Sequence, residues 1–210
     1  MRSLVIVHPS EAGLCIFGIQ TAGQSLDYVL GRINEGWLST ETVSSAEMKV
    51  HIGRVAEEKG EEFEAHVATH FREPQWKALQ RVQLKSLGAP PDLGDVDVLT
   101  WRCDGERSIA IECKRLKPAR TVGEVGEQLL KFKGEARDRL DRHLNRIAWL
   151  NANPDVVGAR LGIPRREREF ESLLVTNVIV PLQYVANLPL PPDRILPLSK
   201  LTEYVSKISA

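Results

Sequence analysis

The dipeptide Asp104-Gly105 constrains this chain more than any other feature. Asp-Gly is a strong hairpin-turn signal, because glycine accepts the positive φ that such turns require. It is flanked by two β-rich runs, residues 95–102 and 107–114, which read as the strands of one antiparallel ribbon. A two-residue turn there fixes the register: facing residues carry numbers that add to 209. Asp97 then faces Glu112, and Asp95 faces Lys114. Side chains alternate between faces along a strand. Asp95, Asp97, Glu112 and Lys114 are therefore expected on one face, with Val96, Val98, Ile109, Ile111 and Cys113 on the other, directed at the core.

Two carboxylates opposed across a ribbon lie about 5 Å apart at Cβ and repel one another. A divalent cation compensates them, since hard Mg²⁺ takes one or two carboxylates together with water and phosphate oxygens. Lys114, two residues from Glu112, adds a positive charge beside the pair. These are the parts needed for metal-assisted hydrolysis of a phosphodiester. The alternative is a solvated Glu-x-Lys strand with a screened surface salt bridge.

The rest of the sequence supplies a frame for the ribbon. A helix is expected over residues 45–71, with Ala56, Phe63, Val67 and Phe71 near one stripe and Gly60 as a point where it could divide. Pro74 ends it. A strand is expected over 76–86, then a loop at Gly88-Ala89-Pro90-Pro91-Asp92. After Pro118, apolar residues from Val122 to Leu150 keep helical spacing, and Asn153-Pro154 stops that helix. Residues 155–170 read as a basic loop or short helix. Residues 173–180 read as a buried strand. A Pro-rich stretch, 189–197, leads to a final helix over 198–208. Near the start, residues 3–8 and 13–19 suggest a hairpin and 25–35 a short helix. The reading is an α/β domain over 46–210, with residues 1–45 as a small N-terminal addition.

With 210 residues, 42% of them hydrophobic, the chain can bury a core without disulfides. The start of the chain breaks at Pro9, too early for a secretory leader. Cys15, Cys103 and Cys113 are scattered, so they read as reduced thiols in a cytoplasm. No apolar run approaches the roughly 20 residues of a membrane helix. The neutral total charge hides a split. Residues 1–112 hold 11 basic and 17 acidic side chains, whereas residues 113–168 hold 14 basic and 7 acidic. The basic excess begins just after Glu112, where a phosphate backbone would need cations. Lys117, Arg120, Gln128, Lys131 and Lys133 are the candidate nucleic-acid contacts. Arg137, Arg139, Arg142 and Arg146 extend that basic series, and Arg165, Arg166 and Arg168 form a second one.

Gly94-Asp95-Val96-Asp97-Val98-Leu99 followed by Ile111-Glu112-Cys113-Lys114 resembles the PD-(D/E)xK nuclease superfamily over about residues 54–182. The resemblance implies a restriction-endonuclease-like α-β-β-β-α-β core. It implies Mg²⁺, with Mn²⁺ able to substitute, bound by Asp97, Glu112 and the backbone carbonyl of Cys113. Lys114 would orient or activate the attacking water. Resolvase-like and Mrr-like members also place a glutamate on the first helix. Glu64 is the match in Lys59-Gly60-Glu61-Glu62-Phe63-Glu64, with Glu61 second. The implied partner is DNA, with RNA not excluded. A concerted double-strand cut needs two active sites, which makes a homodimer a candidate assembly.

Two departures stand out. Pro91-Asp92 imitates the motif aspartate, but Asp92 lies in a loop and does not pair with Glu112. Some members carry Gln-x-x-x-Tyr on the following helix, where this chain has Gln128-Leu129-Leu130-Lys131-Phe132. The competing function class is a non-cleaving module that uses the same fold to bind nucleic acid or a partner protein. His66 and His70 stand four apart without the glutamate of a zinc-protease helix, and read as an exposed face. Trp101 and Trp149 read as packing residues.

Overall fold

A computed structural model of the chain describes residues 5–10, 13–72, 74–130, 132, 139–164, 169–185 and 188–209. Lys131, Lys133, Arg137, Arg165, Arg166 and Arg168 lie outside them. The chain parts into two units, Met1–Lys59 and Gly60–Ala210. That division falls inside a helix, whereas the sequence reading set it at residue 45.

In the first unit, β1 (Val5–Ser10) and β2 (Gly13–Gly18) form an antiparallel pair. Next comes α1 (Ile19–Asn34), which begins earlier than expected. Gly36 follows at φ +64°, and a Cβ there would meet the Ala56 backbone at 2.5 Å, so only glycine fits. Helix α2 (Ala46–Ala68) starts where the Ser45 hydroxyl accepts the Met48 N–H at 3.2 Å, satisfying one of the orphan donors of a helix N-terminus. It runs unbroken through Gly60.

The second unit is built on a five-stranded sheet. Its strands are β3 (Trp76–Gln83), β4 (Asp95–Arg102), β5 (Ser108–Lys114), β6 (Phe170–Thr176) and β7 (Ile195–Pro197), in that spatial order. β3, β4 and β5 are antiparallel neighbours, while β5, β6 and β7 run parallel. Between β5 and β6 lie α3 (Val122–Leu130), α4 (Arg139–Ala152) and α5 (Pro154–Leu161). Helix α6 (Leu201–Ser209) ends the description. The element order is helix, three antiparallel strands, helices, then parallel strands.

Where the ribbon pairs, its register is the expected one, with Val98 opposite Ile111 and Trp101 opposite Ser108. The expected pairs Asp97–Glu112 and Asp95–Lys114 do not form, and Val96 packs with Leu99 and Ala110 on the face opposite Val98. The turn is wider than two residues. Arg102 N–H donates to the Arg107 carbonyl and Gly105, at φ +73°, donates to the Arg102 carbonyl. The sheet is covered on both faces, not one. On one side Val98, Ile109, Ile111, Cys113 and Leu173 meet Phe63 and Val67 of α2 and Leu201 of α6. On the other, Leu99 and Ala110 meet Ile147 and Leu150 of α4 and Val157 of α5. Trp101 is buried, as expected of a packing residue.

Three elements differ from the sequence reading. The helix expected over 122–150 is two helices. After α3 the Phe132 N–H closes a tight turn on the Leu129 carbonyl, and the Phe132 ring is buried beside Leu116, Leu140 and Leu174. The last expected strand begins three residues earlier, because Asn151 of α4 clamps both backbone groups of Phe170 at 2.6 and 3.3 Å. It stops at Thr176, where Asn177 leaves the sheet to bond both backbone groups of Leu116. Strand β7 replaces part of the Pro-rich connection.

Ile111 has no exposed surface and sits mid-strand in the centre of the sheet. Truncation to alanine is expected to cost about 2–5 kcal/mol. Equilibrium urea unfolding should show this as a lower midpoint with an unchanged slope.

Candidate functional site

The ladder between β4 and β5 stops at Val98 and Ile111. Beyond that point β4 stays with β3 as far as Asp95, and β5 stays with β6 as far as Lys114. The two central strands fork. Asp97 sits in the fork, and its Oδ2 accepts the Cys113 N–H at 2.7 Å. A side-chain carboxylate thus takes the place of the next ladder bond. β5 is also where the sheet changes from antiparallel to parallel. Ligands of open α/β sheets favour strand carboxyl ends where the connections diverge.

Lys114 Nζ lies 2.5 Å from Glu112 Oε1 and 3.7 Å from Asp97 Oδ2. It bridges the two carboxylates across the fork. Glu64 reaches the same place from α2, and its Oε2 is buried with no hydrogen-bond donor. Arg81 Nε stands 3.5 Å from that oxygen, and Arg81 also pairs with Glu61. Burial and the neighbouring Asp97 charge push the Glu64 carboxyl up to about 7. Burial and the Glu112 charge push Asp97 up to about 6. The Cys113 thiol is buried on the α2 side, and burial raises it far above the usual thiol range.

Helix α4 supplies two further groups to Glu112, which is 3% exposed. Arg146 Nη1 donates to Glu112 Oε2 at 3.0 Å, while its Nε donates to the Leu93 carbonyl at 2.8 Å. His143 is wholly buried, with Nδ1 3.6 Å from the same Oε2 and Nε2 2.9 Å from the Ser172 hydroxyl. Burial and nearby Arg146 hold this imidazole down at about 3. Sequence reading placed Arg146 in a basic series for phosphate and gave His143 no role. A signal was present: both lie along the inner stripe of Leu140, Ile147 and Leu150.

The proposed nucleic-acid contacts divide. Lys117 Nζ pairs with Glu124 at 2.9 Å, and Gln128 donates to the Lys117 carbonyl. The Arg120 N–H donates to Glu124 at 2.6 Å. These bonds fold the β5–α3 loop on itself. His66 and His70 stack at 5.5 Å, and the His70 ring meets Thr202.

The site presents a donor set that suits a hard divalent ion: adjacent acidic oxygens, one of them buried and lacking a donor. Among the described residues, no group of three or more His, Cys, Asp and Glu side chains could by itself hold a metal. Mg²⁺ does not require one, because it keeps several waters and takes one or two carboxylates. Asp97 and Glu112 are the candidate pair, with Glu112 Oε1 facing Lys114, Glu112 Oε2 facing Arg146 and Asp97 Oδ2 holding the Cys113 N–H.

Fold and side chains together define a mixed α/β protein with an acid–lysine centre in a forked sheet. The chain belongs to the Upx-like family of anti-phage proteins, whose profile matches residues 1–192. No curated protein and no solved structure matches it significantly. Among the described residues no helix is long and apolar enough to cross a membrane.

A raised carboxylate pKa means that the folded chain holds protons which the unfolded chain releases. Stability from such a group is complete below the unfolded value and is lost as pH rises through the folded one. Without added divalent ions, the chain should lose stability relative to a Glu64→Gln/Asp97→Asn variant as pH climbs from about 4 to about 7. Thermal unfolding midpoints across that range check the sign.

Proposed function

We propose that this chain is a Mg²⁺-dependent nuclease with a restriction-endonuclease-like core, and that cleavage of invading DNA is its part in phage defence. The carrying observation is the fork, where Asp97, Glu112 and Lys114 converge at the end of β5 with Glu64 beside them. The order of one helix, three antiparallel strands, helices and a parallel strand suits that fold.

In this reading Asp97, Glu112 and the Cys113 carbonyl hold Mg²⁺, for which Mn²⁺ would substitute. The ion supplies Lewis-acid polarisation of the phosphoryl group and a water of lowered pKa. Lys114 Nζ, fixed between the two carboxylates, orients the attacking water and offsets the charge that develops on the phosphoryl oxygens. Glu64 assists from α2 directly or through water. The Cys113 N–H bond pins the Asp97 carboxylate, so this side chain is oriented before any ligand arrives. Two copies of the chain would be needed for a concerted double-strand cut.

One observation favours the non-cleaving alternative: both Glu112 oxygens already have cationic partners, Lys114 and Arg146. A binding-only module takes up no Mg²⁺ through these carboxylates, so titration calorimetry separates the two readings. A panel of double-stranded DNA, branched DNA and RNA identifies the substrate.

The direct test is cleavage with Mg²⁺ or Mn²⁺. Asp97→Ala and Lys114→Ala are each expected to lower the rate by about 10²-fold or more, while circular dichroism stays unchanged. Variants that cut as fast as the parent protein would end this assignment.

A further inference from the structure

We infer that Arg146 is a built-in competitor for the divalent cation: its guanidinium occupies one of the two oxygens of Glu112, the carboxylate on which metal capture depends in the reading above. The inference rests on the metal-dependent reading above and adds a residue to it. Glu112 offers two oxygens. Oε1 faces Lys114 at 2.5 Å, on the side of Asp97. Oε2 faces Arg146 Nη1 at 3.0 Å. A guanidinium and a dication on one buried carboxylate would meet as like charges where screening by water is weak. One must yield to the other.

Arg146 is held at this post by more than its ion pair. Its Nε donates to the Leu93 carbonyl at 2.8 Å, and its side chain is only 13% exposed. The next residue, Gly94, has φ +73°, and a Cβ there would lie 3.4 Å from Arg146 Nη2. The turn entering β4 thus runs within ordinary contact distance of the guanidinium. This geometry is that of a seat, not of a surface arginine reaching by chance. His143, three residues earlier, closes another approach to Oε2 at 3.6 Å. A guanidinium released from Glu112 has the planar fork that fits a phosphate. Metal uptake and backbone binding would then favour each other.

A residue that merely positioned Glu112 for the ion would give the opposite sign on removal. The test is Mn²⁺ titration of the full chain by calorimetry, without nucleic acid, for the parent protein, Arg146→Met and Arg146→Gln. The glutamine variant keeps a donor near the Leu93 carbonyl and reports if the methionine variant does not fold, as judged by circular dichroism. Competition predicts Mn²⁺ binding about tenfold tighter than in the parent, which is about 1.4 kcal/mol. Unchanged or weaker binding in a folded variant, beside measurable Mn²⁺ binding by the parent, overturns the role of Arg146 alone. No Mn²⁺ uptake by any of the three proteins overturns the metal-dependent reading, and this inference with it.

Discussion

One hydrogen bond governs the architecture around the site: the Cys113 N–H to Asp97 Oδ2. Had β4 and β5 stayed paired, a backbone carbonyl would satisfy that amide and the carboxylate would lie on a flat sheet. Because the strands part after Val98 and Ile111, a buried N–H needs another acceptor, and an unpaired one would cost about 1–3 kcal/mol. Asp97 supplies it. The same bond draws a carboxylate into the sheet, beside Glu112 and below Glu64. Burial at this place raises both Asp97 and Glu64.

The charges at the fork alternate. Glu64 meets Arg81, Asp97 and Glu112 meet Lys114, and Glu112 meets Arg146. Buried ion pairs of this kind add little net stability, since desolvation offsets the attraction. Their effect is on geometry. Each carboxylate is held by a cation from another element: β3, β5 or α4. Three parts of the chain far apart in sequence are thereby tied to one small volume, and α4 is secured to β5 and β6 through Arg146 and through the His143–Ser172 contact.

What was legible in the sequence was local. The Asp104-Gly105 turn and the two-residue period of the strands set the register, so the proximity of Asp97, Glu112 and Lys114 follows from chemistry within twenty residues. The resemblance of Lys59–Glu64 to the first-helix segment of the nuclease superfamily singles out Glu64, which lies at the edge of the stripe marked by Phe63 and Val67. The rest depends on partners distant in sequence. Helical spacing from Val122 to Leu150 hides the break near Phe132, whose ring leaves the helix for a pocket built by Leu116, Leu174 and others. The short β7 has too few residues, and too much proline, to announce itself. Arg146 looks like any surface arginine until Leu93 and Glu112 converge on it. Gln128 and Lys117, which invite a nucleic-acid reading, serve the loop in which they sit.

Arg81 adopts φ +50° within β3, the outermost strand of the sheet as described. Neighbours Gln80 and Val82 keep their partners in β4, while Arg81 itself drops out of the ladder. A left-handed arginine costs about 1 kcal/mol or more. The distortion roughens the margin of the sheet, so a stray strand from another molecule finds no regular row of amides to extend. A backbone irregularity that delivers a guanidinium to Glu61 and Glu64 thus also guards the sheet against edge-to-edge aggregation.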